Sequence, residues 1–175
     1  LGATLRRLLL DRDQAPVSER SEALLMAADR AQHVAQVLTP ALDSGTWVVT
    51  DRFSASTLAY QGFGRGLDRV ELDRLIEMAT GGLQPDLTVF LDVPVETAAS
   101  RRSGGGGDRF ELEGDTFLQR VADGYRQLAK DGSSSWLVID GTRSEHEVGA
   151  EVWAGVCATV GPGPGGSDDR SPGSR

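Results

Sequence analysis

The chain has 175 residues, enough for one domain with a sizeable core. Its net charge of −8 argues against a nucleic-acid binder, which would show a basic face, but leaves room for a phosphorylated small molecule held by a few placed arginines. A single cysteine, Cys157, excludes an intrachain disulfide; together with the lack of a secretory signal or an apolar run near the ~20 residues that span a bilayer, it points to a reducing, cytoplasmic setting with no membrane partner.

Leu1, Leu5, Leu8 and Leu9 share one helical face. Asp11 to Arg20, with Pro16, reads as a loop, and Ser18 or Ser21 can cap the helix that follows. That helix carries a stripe of Leu24, Ala28, Ala31, Ala35, Leu38 and Leu42, whose steps of three and four predict one buried face. Pro40 kinks it or starts a new turn, and Gly45 stops it. Thr46 to Thr50 reads as a buried strand, followed by a short helix and then a loop containing Gly62, Gly64, Arg65 and Gly66. Asp68 caps a helix with an apolar face of Leu72, Leu75, Ile76 and Ala79, ended by Gly81 and Gly82. Leu87 to Leu91 is a second buried strand, and Pro94 opens the next helix, through Ala98 and Ala99 to Arg101 and Arg102. Ser103 to Gly107 holds no regular element and is expected to be mobile. A helix with Phe117, Val121, Tyr125 and Leu128 leads to a third strand, Trp136 to Ile139. Ser144 and Glu147 form a capping box for a last helix, with Val148, Val152, Val156 and Val160 as its buried face and Cys157 packed inside. The domain is expected to span residues 1–160, and residues 161–175, rich in Gly, Pro, Ser and Asp, a disordered tail. Strands alternating with helices predict an α/β fold with a mainly parallel sheet.

Chemistry concentrates at the carboxyl ends of these strands, where open α/β sheets bind ligands. Asp51 follows the first strand, and an Asp there commonly holds Mg²⁺ in nucleotide-handling folds. The planar fork of Arg52 suits a phosphate, and the hydroxyls, phenol and amide from Ser54 to Gln61 suit a nucleoside. Met26 and Arg30, four apart, stack on one helix face. The Gly-rich segment is edged by Arg101, Arg102, Arg109 and Glu111, the composition of a closing loop that delivers positive charge to a transferring phosphoryl group. Gly141 and Thr142 follow the third strand. His33 and His146 are read as packing or surface residues.

The run from Asp51 to Gly62 resembles the substrate loop of bacterial thymidylate kinases. Leu24 to His33 is similar to that family's helix of the form Leu-Leu-Phe-x-Ala-x-Arg-x-Gln, with Met26 at the aromatic position. Gly62 to Asp68, Gly81 to Thr88 and Asp108 to Glu111 extend the resemblance over nearly the whole chain. It implies a three-layer P-loop kinase fold and transfer of the ATP γ-phosphoryl group to dTMP, giving dTDP for dTTP synthesis. It implies substrate contacts from Met26, Arg30, Arg52, Thr57, Tyr60 and Gln61, with Tyr60 against the sugar and Phe53 in a packing role. By the same resemblance Asp51 supports Mg²⁺, Arg102 and Arg109 join Arg52 as catalytic cations, Gly141 and Thr142 pack near adenine, and the protein is a homodimer. The alternatives are a related nucleotide or deoxynucleoside kinase and a non-catalytic nucleotide-binding remnant.

The sequence contains no G-x-x-x-x-G-K-[ST] and starts at Leu1 rather than Met. The resemblance therefore carries the expectation of a longer parent missing its first βαβ portion here, about 50 residues by the size of such a unit. On that expectation this chain alone is poorly stable and inefficient in turnover.

Overall fold

The computed structural model describes residues 2–10, 17–101, 113–132 and 134–161. Helix α1, Gly2–Leu10, buries Leu5 and Leu9 against α2, Glu19–His33, and leaves Leu8 exposed. Ser18 caps α2, accepting from the Ser21 backbone N–H at 3.3 Å. A π-helical turn, Val34–Leu38, then joins α2 to α3, Thr39–Asp43. Pro40 stands in the first turn of α3, where its missing N–H leaves no orphan, and the widened turn just before it absorbs the steric demand of the ring. Gly45, at φ 76°, lets the chain turn out of the helix.

The buried face of this long helix lies about one residue away from the predicted one. Ala23, Ala27 and Val34 are buried, and of the expected stripe Leu38 is buried and Ala31 half-buried, whereas Leu24, Ala28, Ala35 and Leu42 face outward. The helix can show only one stripe to α5, and the polar Glu22 and Gln61 pair draws the Ala23 side inward.

Thr46 to Thr50 does not form the predicted strand. Extended apolar residues become a strand only through a ladder, and this stretch has none among the described residues; Val49 is 95 % exposed. Two strands remain, β1 (Thr88–Asp92) and β2 (Trp136–Asp140), paired in parallel with Thr88 opposite Trp136 and Asp92 opposite Asp140. Both are half-covered rather than buried: Ile139 is in the core, while Leu91 and Val138 are exposed.

Helix α4, Ser54–Thr57, runs into a second π-helical stretch, Leu58–Gly64. The predicted loop of Gly62, Gly64 and Gly66 is thus helical up to Gly64, and only Gly66, at φ 79°, turns the chain. Helix α5, Arg69–Thr80, is capped by Asp68 and ends at left-handed Gly81; Leu72, Ile76 and Ala79 are buried as predicted. Helix α6 is Val95–Arg101. Helix α7, Asp115–Asp131, packs on the π-helical stretch and on both strands, and buries Phe117, Val121 and Leu128 as predicted. The core gathers there: Ala23, Leu58, Ala59, Leu72, Ile76, Phe117, Val121 and Leu128.

Helix α8, Glu145–Val160, has the predicted capping box of Ser144 and Glu147. Its valine face is only half-buried, with Val160 exposed, because among the described elements the helix packs chiefly on β2; Cys157 is likewise half-buried. Arg102, Ser103 to Gly107, Arg109, Glu111 and the tail after Gly161 lie outside the described residues. No helix in the described residues is long and apolar enough to cross a membrane.

Candidate active site

The face of α2 carrying Met26 and Arg30 looks onto α4 and the π-helical stretch. The Arg30 Nη2 donates to Thr57 Oγ1 at 3.2 Å, and its guanidinium lies 5.2 Å from the centre of the Phe53 ring. Its Nε is buried and has no hydrogen-bond partner among the described residues. Burial pulls the Arg30 pKa below its ordinary value, partly offset by Asp29. A buried donor left unspent on a half-buried cation is an unfavourable arrangement unless a ligand completes it. Ser54 Oγ, in the same stretch, is also buried without a partner. Met26 is half-buried beside the core.

Arg52 is the one non-glycine residue with positive φ among the described residues, at 68°. That backbone turns its side chain over the Tyr60 ring, 4.9 Å from the ring centre. Burial alone would lower the Arg52 pKa, yet its contacts with Tyr60, then with Tyr125 and Asp51, leave it above the ordinary value. Tyr60 meets Phe117 and Tyr125 edge-on, at 6.1 and 6.4 Å, and Tyr125 stacks on Phe90 at 5.4 Å. The Tyr125 hydroxyl shares a 2.7 Å hydrogen bond with Ser56 Oγ. Asp51 is exposed beside Arg52.

Gln61 stands elsewhere. It is 2 % exposed, and its Nε2 donates to Glu22 Oε1 at 3.0 Å. Arg65 grips the same carboxylate, Nε to Oε1 at 3.2 Å and Nη2 to Oε2 at 3.0 Å, and also reaches Glu113 at 2.7 Å. The Arg65 pKa is raised, first by Glu113 and then by Glu22. The composition pattern gave no sign of Glu22, because a glutamate in the first turn of a helix ordinarily faces solvent.

At the strand ends, Arg126 of α7 clamps Asp92 through Nε, 3.1 Å to each oxygen, and through Nη2 at 2.8 Å. Asp140 Oδ1 accepts from the Thr142 hydroxyl at 2.6 Å and the Thr142 N–H at 2.9 Å, which holds its carboxyl below the ordinary value. Arg101 donates to the Gly141 carbonyl at 2.8 Å, so the predicted adenine-side turn is tied to the end of α6. Neither Arg126 nor Arg101 stood out in this role from the sequence: each ties helix to strand end, which only the fold brings together.

This constellation, with Arg30 bonded to Thr57 and Arg52 lying over Tyr60, can be set against known proteins. A thymidylate kinase family profile matches residues 1–152. The thymidylate kinase of Synechococcus sp. (strain CC9902) is 55 % identical over 146 residues, 82 % of this chain and 68 % of that protein. That of Synechococcus sp. (strain CC9605) is 50 % identical over 153 residues, 87 % of this chain and 72 % of the relative. The thymidylate kinase of Desulforudis audaxviator is 44 % identical over 160 residues, 91 % and 72 % of the two chains. The chain belongs to the thymidylate kinase family.

Membership places it among P-loop NTPase folds, in keeping with the parallel pairing of β1 and β2. Of the residues that the thymidylate kinase resemblance singled out, the structure brings Arg30, Arg52, Thr57 and Tyr60 together, keeps Met26 on the same helix face as Arg30, and puts Gln61 into the Glu22 cluster. Gly141 and Thr142 form a separate turn after β2. No group of three or more His, Cys, Asp or Glu side chains suited to a metal occurs among the described residues.

Proposed function

We propose that this protein is a dTMP kinase, transferring the γ-phosphoryl group of ATP to the 5′-phosphate of dTMP to give dTDP. The observation that carries the reading is Arg30: a half-buried guanidinium, braced by Thr57, whose buried Nε has no partner among the described residues. A pyrimidine carbonyl supplies the acceptor it lacks. Met26 packs on the base, Tyr60 limits the space at the sugar and so disfavours a 2′-hydroxyl, and Arg52 meets the phosphate. The transferring oxygen belongs to the substrate phosphate, so no side chain acts as nucleophile; the protein positions and neutralises.

Asp51 offers a lone exposed carboxylate, which fits a Mg²⁺ held mostly by water and phosphate oxygens rather than by a protein cage. When bound, that ion neutralises phosphate charge. The Gly141–Thr142 turn, fixed by Arg101 and Asp140, is the place for adenine. Arg102 and Arg109 complete the cationic set in this reading.

A homodimer belongs to the same reading. The line of Leu24, Ala28 and Ala35, exposed, with Ala31 half-buried between them, runs into a shallow depression of about 640 Å³ lined in part by Val34, Met78 and Leu83, and Met78 is 76 % exposed. Helix faces of this kind suit a second copy of the chain.

The test is calorimetric titration with dTMP, dCMP, AMP and thymidine, followed by ADP release with ATP and Mg²⁺. Preferential binding of dTMP with ADP release is the expected result. Tighter binding of another nucleotide would overturn the substrate, and dTMP binding without ADP release would confine this chain to nucleotide binding.

A further inference from the structure

Glu22 is 1 % exposed, and among the described residues the hydrogen bonds to its carboxylate come from one segment: Gln61 Nε2, Arg65 Nε and Arg65 Nη2. That segment is the end of the π-helical stretch Leu58–Gly64 and the residue after it. π-helical turns are rare and poorly self-supporting, so they persist where outside groups hold them. Here Glu22 holds one side. Arg120 of α7 holds the other, donating to the Gly64 carbonyl at 2.8 and 3.1 Å. Arg65 is also sandwiched against the Phe117 ring, 4.7 Å from its centre.

Glu22 lies on α2 roughly two turns before Arg30. The same rigid helix therefore carries both the guanidinium that meets the base and the carboxylate that anchors the segment bearing Thr57 and Tyr60. Thr57 touches Arg30 at one end of that segment, and Gln61 and Arg65 touch Glu22 at the other. We infer that Glu22 is a positioning residue for the nucleotide, fixing the Thr57–Gly64 segment in register with Arg30 so that both walls of the pocket are set by one helix. The inference rests on the dTMP reading of that pocket. A purely structural buried ion pair would add stability or specificity of fold without setting ligand affinity.

The experiment compares the 175-residue protein with Glu22→Gln and Glu22→Asp at a temperature well below each melting point. Glu22→Gln keeps the shape but removes the charge facing Arg65; Glu22→Asp keeps the charge with shorter reach and serves if the first variant does not fold. The readouts are dTMP affinity by calorimetry and amide exchange of Leu58–Gly64 in the free protein. The expected result is about a tenfold or greater weakening of dTMP binding for Glu22→Gln, a smaller loss for Glu22→Asp, and faster exchange confined to that segment. Unchanged affinity in folded variants, whatever their melting points, overturns the role. If the unaltered protein does not bind dTMP, the dTMP reading fails by itself; exchange then decides, faster exchange in the variants supporting the anchoring role and unchanged exchange overturning it.

Discussion

At the scale of single residues, Arg52 shows how backbone and ligand demands meet. A non-glycine residue at φ 68° is strained by about 1 kcal/mol. Arg52→Ala keeps that strain and loses the cation–π contact with Tyr60, whereas Arg52→Gly relieves it. The glycine variant should therefore be more stable than the alanine variant by about 1 kcal/mol in denaturant melts, while both lose dTMP binding. Equal stability would mean that the backbone at Arg52 is not strained. Tyr125 makes a second case. Burial pushes its phenol up, with Ser56, Arg52 and Arg30 pulling part of the way back. The folded state then holds the proton more tightly than the unfolded state, so stability is fully present below the unfolded value of about 10 and falls as pH rises past it. Tyr125→Phe should flatten that alkaline slope in melts run from neutral to strongly alkaline pH, at a cost of about 1 kcal/mol at neutral pH for the Ser56 bond. Arg30 was singled out from the family's helix motif, and Arg52 and Thr57 from its substrate loop, because their types and spacing match those motifs. Glu22 was not, since its meaning lies in a partner 39 residues away, Gln61, and in being buried.

Elements were legible where local chemistry decides them. Ser18, Asp68 and Ser144 cap their helices, Gly45 and Gly81 end theirs, and β1 and β2 lie within a residue of their apolar runs. Thr46 to Thr50 failed as a strand because a strand is a property of a pair, and no periodicity in one segment reveals its partner. The stripe of the long helix was misplaced because two apolar faces lie side by side on it, and only packing says which one turns inward. The π-helical stretch left no pattern either, but its contact with α7 explains two glycines. A Cβ at Gly64 would lie 2.6 Å from the Phe117 ring, and one at Gly124 would lie 2.7 Å from the root of the Phe63 ring. In a free helix Gly→Ala stabilises by about 1 kcal/mol. Here Gly124→Ala should instead destabilise by about 1–3 kcal/mol, because the ring root cannot swing away without moving the substrate segment. A thermal melt measures the sign, and a rise in melting temperature would show that the interface is looser than it looks.

For the whole molecule, the distribution of covered and uncovered apolar surface matters more than the net charge. The core lies among α2, α5, α7 and the π-helical stretch, while Leu24, Val37, Val70 and Met78 remain outside it. Scattered singly such residues mean little, but Leu24, Ala28, the half-buried Ala31 and Ala35 recur along one line of α2 and the π-helical turn after it, which borders Met78 across the depression. In a monomer, replacing an exposed Leu24 or Met78 with glutamate changes stability by no more than about 0.5 kcal/mol. In a dimer closed over that face, each substitution appears twice across a two-fold axis and buries two like charges in an apolar seam of standard size, about 800 Å² per partner. The two states thus respond differently to the same change. Sedimentation of the unaltered chain should give a dimer, and Leu24→Glu with Met78→Glu should give a folded monomer whose far-ultraviolet spectrum is unchanged. A dimer that survives both substitutions would place the interface elsewhere, and a monomer before substitution would leave the stripe to face water in the free protein.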